Sequence, residues 1–204
     1  MADVIYRLDL QTLESHEVMA RLVESMRRLP GFVPREYDMN RRGQWREWDR
    51  EHAIVDALTQ RTQIFEIRGD DEASAAVATG KHGEPPQAIV RLAGEVDPEE
   101  VASTWADIDG ELPLVRVALT TGELRRSFSE LGIQGHPAEG ELEAAALIGW
   151  PGKMPQSVER RLDGLPDGPI RRQRLGAVEL LWICPAMDVE DEVHRTQLKA
   201  LFAE

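Results

Sequence analysis

The nine residues QWREWDREH, 44 to 52, hold two tryptophans, three acids, two arginines and a histidine. Such a mixture could move protons, since a histidine beside carboxylates is ordinary general acid–base equipment. It could equally form a binding surface, because tryptophan and arginine dominate binding energy at protein interfaces. Placed on a helix, Trp45, Trp48 and His52 fall at steps of three and four, and Val55 and Leu58 continue the stripe. Glu47 then pairs with Arg50, and Arg46 with Asp49, on the flanks of that helix. This placement makes the charges a solvated helix surface and His52 a hydrogen-bonded histidine at the core edge. Trp45, at the open end of the stripe, is a candidate partner contact.

Other residues with chemical potential lack the spacing their chemistry needs. His16-Glu17 has Ala20 where a zinc-protease helix would place its second histidine, and His16, His52, His82, His136 and His194 are scattered along the chain. The carboxylates of DIDGE, Asp107, Asp109 and Glu111, are followed too early by glycine for a calcium loop, with Gly110 in fourth position instead of a sixth-position glycine. TGKHGE has a Gly-Lys pair without the earlier glycine or the following Ser or Thr of a phosphate-binding loop. There is no Gly-x-Ser-x-Gly elbow. Cys184, the one cysteine, lies in the apolar run ELLWICP and reads as a buried structural thiol, so internal disulfides and cysteine metal clusters are excluded. No catalytic residue, metal or cofactor is expected, and an enzyme would have to use an unrecognised carboxylate site.

Composition directs attention to binding. The chain has 204 residues and a net charge of -13, with 42% apolar and 30% charged residues, which suits one folded domain spanning 1–204. The charge is uneven. Residues 66 to 143 hold 17 acids against 6 bases, whereas 21 to 50 hold 8 arginines against 5 acids. An acidic molecule is a poor nucleic-acid ligand and a good ligand for a basic protein. The leading contact candidates are Glu95, Asp97, Glu99, Glu100, Asp107, Asp109 and Glu111, with Glu139, Glu141 and Glu143 as a second group. Trp150, beside Pro151-Gly152, is expected near the surface. The competing reading uses Arg41, Arg42, Arg46 and Arg50 with Arg171, Arg172 and Arg174 to hold nucleic acid or a regulatory partner. The start of the chain meets acids at Asp3 and Asp9 instead of a basic stretch and an apolar run, and no window is apolar enough to cross a bilayer. A cytoplasmic protein without membrane contact is expected.

The elements that must carry these residues are mixed. VIYRLDL alternates as a half-buried strand, and Val18, Met19, Leu22, Met26 and Leu29 mark a helix from about Ser15 to Pro30-Gly31. QIFEIRG, ASAAVATG and QAIVRLAG are short strands with short connections, which implies antiparallel pairing. In DPEEVASTWADID, Asp97 caps, Glu100 completes a capping box, and Val101, Trp105 and Ile108 share one face. LPLVRVAL is a strand, TGELRRSFSELG a helix capped by Thr121, and EGELEAAALIGW a helix running into a strand. SVERRLDGL forms a short helix, AVELLWIC a central strand and VEDEVHRTQLKALF a terminal helix. Five or six strands with these helices predict a single α+β domain, its mainly antiparallel sheet carrying helices on one side.

The opening VIYRLDLQTLESHEVMARLVESMRRL, the QWREWD segment and LIGWPGKMPQSV together resemble the immunity proteins that bacteria pair with secreted toxins, including type VI secretion effectors. They look like the immunity protein 52 family, whose members accompany toxins with a restriction-endonuclease-like nuclease domain. The resemblance implies a cognate, basic, nuclease-like toxin as partner and neutralisation as the function. It supplies no residue-level motif, so the contact candidates above rest on charge and residue type.

Overall fold

The structure, a computed structural model, describes residues 3–13, 15–29, 32–59, 64–78, 86–93, 97–108, 110–133, 142–189 and 191–203. The first strand, β1 (Asp3–Leu10), is followed by α1 (His16–Arg28), β2 (Pro34–Met39), β3 (Arg46–Glu47) and α2 (Arg50–Thr59). A meander of β4 (Ile64–Gly69), β5 (Ser74–Ala78) and β6 (Gln87–Ala93) comes next, then α3 (Pro98–Ile108), β7 (Leu114–Thr121) and α4 (Gly122–Glu130). The last part holds β8 (Leu147–Pro151), α5 (Gln156–Leu162), β9 (Arg171–Leu175), β10 (Val178–Trp182) and α6 (Glu192–Leu201). The strands form one ten-stranded sheet in the order β3-β2-β4-β5-β6-β1-β7-β8-β10-β9. Every pairing in it is antiparallel.

The α+β class and the antiparallel sheet are as expected, but helices cover both faces. Successive strand residues point to opposite sides. Tyr6, Leu8, Leu119, Leu147 and Leu180 therefore pack on one face with Met19 and Leu22 of α1, Ile54 of α2 and Trp105 of α3. Ala118, Ile148 and Leu181 pack on the other with Phe128 of α4, Val158 of α5 and Leu198 of α6. The expectation of helices on one side fails because β7, β8 and β10 are apolar at consecutive positions. Such strands are buried on both faces and need cover from both.

Local signals explain most of the elements. Ser15 caps α1 by accepting the Val18 amide at 3.1 Å, Thr121 caps α4 through Leu124 at 3.0 Å, and Asp191 caps α6 through His194 at 2.9 Å. Ten strands replace the expected five or six, chiefly because β2, β3 and β9 were not foreseen. RRQRL carries charges where a half-buried strand would alternate, since β9 is an edge strand exposed along most of its length, and PREYDM of β2 is covered on its outer side only at Glu36 and Tyr37, by the two-residue β3. Charged edges of this kind block unwanted strand addition. EGELEAAALIGW contributes β8 only. Its described residues 142 to 146 are not helical, and those before them lie outside the described residues.

Candidate functional site

The QWREWDREH cluster does not form the expected helix. Asp49 caps α2, accepting the His52 amide at 2.9 Å, so the helix begins at Arg50 and buries Ala53, Ile54 and Ala57; of the expected stripe Leu58 packs half-buried against the core, while His52 and Val55 are exposed. The His52 ring lies 3.2 Å from the Asp49 carboxylate. Hydrogen bonds from the His52 backbone and ring hold the Asp49 carboxyl below its ordinary range. Trp45 and Trp48 flank the two-residue strand β3. Three residues apart, they would share a helix face, yet an odd separation along extended chain sends them to opposite sides of the sheet. Trp48 goes to the α1–α3 face, stacking near Phe65 with ring centroids 6.5 Å apart, while Tyr37 meets both rings edge-on. Trp45 goes to the other face.

What holds Trp45 there is Asp38, whose buried carboxylate accepts the Met39 and Gly43 amides at 2.8 Å and the Gln44 amide at 3.3 Å. This pins the turn after β2, in which Asn40 and Arg41 both take left-handed conformations. The Arg68 guanidinium then lies 3.6 Å from the centre of the Trp45 ring. Cross-strand register extends the surface. Arg68 faces Ser74, Ser74 faces Arg91, and Glu66, Ala76 and Ile89 form the adjacent row. These residues border a hollow of about 280 Å³. Among the described residues no helix covers this half of the face, whereas the rows continue under α4, α5 and α6 towards Ala118, Ile148 and Leu181.

At the border of the covered half sits a four-membered charge cluster. Arg116, only 2% exposed, donates from Nε at 3.0 Å and from Nη2 at 2.8 Å to Asp9 Oδ2, and its Nη2 lies 3.5 Å from Glu143 Oε2. Arg7 donates to Asp9 Oδ1 at 2.8 Å and to Glu143 at 3.3 Å. Arg116 Nη1 is buried and has no hydrogen-bond partner among the described residues. Glu143, a contact candidate by sequence, is thus an internal counter-ion. Glu95, Asp109, Glu139 and Glu141 lie outside the described residues.

The remaining acids are distributed over α3 and its ends. Asp97 is used as a cap, accepting the Glu99 amide at 2.9 Å, and Glu111 is held by Arg28 at 3.1 Å while its carbonyl accepts from Arg21. Glu99 lies 3.7 Å from Arg171 on β9. Glu100 and Asp107 are exposed, and among the described residues no ion pair neutralises either. Seven residues apart, they stand two turns along one line of the helix, about 10 Å by rise. Trp150, expected at the surface, is 4% exposed in the core beneath α5 and α6, because Trp150 pairs with Glu179 in the interior of the sheet.

The two arginine-rich segments cannot make one basic patch. Arg41 and Arg46 belong to the β3 edge and Arg171, Arg172 and Arg174 to the β9 edge, with eight strands between. At strand spacing those edges are roughly 40 Å apart. Acids also answer several of these cations. Arg41 meets Glu66 at 2.9 Å, Arg46 meets Asp56, and Arg172 meets Glu179 at 2.8 Å. Among the described residues no three metal-ligating side chains are grouped to hold an ion, and no helix is long and apolar enough to cross a membrane.

By fold the chain is an α+β protein built on one broad antiparallel sheet. No family model and no curated protein matches its sequence. A solved structure titled "Pseudomonas aeruginosa T6SS protein PA0821" is similar in fold, with a TM-score of 0.57, 10% identity, and coverage of 98% of this chain and 73% of that one. At that identity the likeness is one of architecture.

Proposed function

We propose that this chain is an immunity-type binding protein. It neutralises a toxin delivered between bacteria by type VI secretion, offering the α3 carboxylates where a basic, nuclease-type toxin would hold phosphates. The observation that carries the reading is the exposed Glu100–Asp107 line, in no ion pair among the described residues and flanked by Glu99, on a molecule of charge -13. Such a field accelerates encounter with a basic cleft, and it disfavours contact with nucleic acid itself. The structural neighbour's title, which names a type VI secretion protein, supports the setting. On this reading the chain acts in the cytoplasm, as a stoichiometric binder without cofactor.

The test is made with the product of the neighbouring reading frame. Co-expression should abolish that product's toxicity and yield a complex that weakens with salt. Replacing Glu99, Glu100 and Asp107 by lysine should slow association about tenfold or more at low salt, since long-range charge acts mainly on the on-rate. Unchanged kinetics would remove the α3 line from the interface. A neighbouring product that is harmless and does not bind would sink the toxin reading.

A further inference from the structure

The geometry points to a second binding surface on the opposite face from α3: we propose that the trough beside Trp45 docks an extended acidic segment of a partner protein along β5. The floor of this trough is made of small side chains, Ser74 and Ala76. Its walls are Arg68 with Trp45 on one side and Arg91 with Ile89 on the other. Arg68 and Arg91 flank Ser74 in register, two strand spacings apart, or roughly 10 Å. That width leaves room for one extended chain to lie between the two guanidiniums, over β5.

Charge selects the occupant. Three arginines line the trough, and Arg41 is neutralised by Glu66 at 2.9 Å. Arg68 and Arg91 are both exposed, and neither has a carboxylate within ion-pair distance among the described residues. In a chain with 37 acids and 24 bases, two guanidiniums held in no ion pair among the described residues offer a local positive edge to an incoming anion, with Glu36 the one acid opposite Arg68 in cross-strand register. The stacked Arg68 is also preorganised. With its Cζ held 3.6 Å from the centre of the Trp45 ring and no ion pair among the described residues, the guanidinium keeps donors for the two-point geometry a carboxylate offers. A phosphate backbone fits less well, because the net charge of -13 repels a polyanion and Glu66 stands in the same wall. A short acidic segment brings few charges and can lay small residues over the alanine floor.

The proposal stands apart from the toxin reading, since the two surfaces lie on opposite sides of the sheet and either can fail alone. Its test uses a labelled ten-residue peptide of alternating glutamate and threonine, followed by fluorescence anisotropy at low salt. A glutamine–threonine peptide and deca-thymidylate are the controls. The acidic peptide should bind, the neutral one should not, and affinity should fall at least tenfold in Arg68→Gln with Arg91→Gln. Ala76→Phe, which fills the trough without removing charge, should cause a similar loss, and circular dichroism should show both variants folded. Any of four results overturns the proposal: no binding of the acidic peptide at millimolar concentration, equal binding by the variants, equal binding of the neutral peptide, or tighter binding of deca-thymidylate. Self-association of the protein that these substitutions abolish would assign the trough to a second copy and overturn it as well.

Discussion

Replacing Asp9 by alanine should be among the most damaging changes available, although Asp9 contacts neither proposed binding surface. Arg116 is 2% exposed and takes both of its shortest contacts, at 3.0 and 2.8 Å, from one oxygen of Asp9. Without Asp9 it would keep, among the described residues, only Glu143 at 3.5 Å, and its Nη1 already lacks a hydrogen-bond partner there. Breaking a buried pair by deleting one member typically costs about 3–5 kcal/mol, because the remaining charge stays desolvated. Domains of this size shift by about 2–4 °C per kcal/mol, so the melting temperature should fall by roughly 6–20 °C. Urea unfolding followed by tryptophan fluorescence measures the loss directly, with the slope m unchanged if only the native state is affected. The control is the paired replacement of Asp9 by leucine and Arg116 by methionine, which should recover most of the stability, since apolar substitutes for a buried ion pair are often neutral. A loss below about 1 kcal/mol for the single variant would refute the reasoning, as that is what a solvent-screened surface pair contributes.

Two further outcomes test the packing and the electrostatics around β8 and β10. Gly149→Ala should destabilise by about 1–3 kcal/mol in the same urea assay, because the added carbon would stand 2.8 Å from Val117 Cγ2 and 3.0 Å from Leu180 Cδ2. Burial pushes the Glu179 carboxyl up, but the Met154 amide at 2.7 Å and Arg172 at 2.8 Å outweigh it and hold the group below its ordinary range. A depressed folded value means stabilisation that is present above the unfolded value and lost as pH falls through the folded one. Glu179→Gln should therefore be less stable at neutral pH and lose less than the parent on acidification to about pH 3, below the ordinary glutamate value. Equal acid losses in the two proteins would count against this account of Glu179.

Elements whose signal is local were readable in the sequence. Ser15 and Thr121 announce α1 and α4 because a cap acts within three residues, and the apolar alternation of VIYRLDL and QAIVRLAG reports one buried face directly. The helix containing Val101, Trp105 and Ile108 is present with that face inward. QWREWDREH misleads as a sequence because tryptophans three apart satisfy a helical stripe, while Asp49, four residues after Trp45, is the cap that starts the helix. Strands β2 and β9 carry no legible alternation, because β9 is an edge and β2 runs into a pinned turn.

The candidate surfaces divide in the same way. Composition established a strongly acidic, folded chain, local patterning the mixed α+β class, and helix periodicity the shared face of Val101, Trp105 and Ile108, since the relevant spacing is set by a single helix. Only the tertiary structure could separate Glu143, an internal counter-ion for Arg7 and Arg116, from acids that remain free to meet a partner. Only it could show Trp150 as core and Trp45 as one wall of an open trough with Arg68 and Arg91. The reason is physical: burial and charge compensation depend on strands distant in sequence and adjacent in space, as Asp9 and Arg116 are, and a linear pattern carries no information about which distant residue arrives opposite.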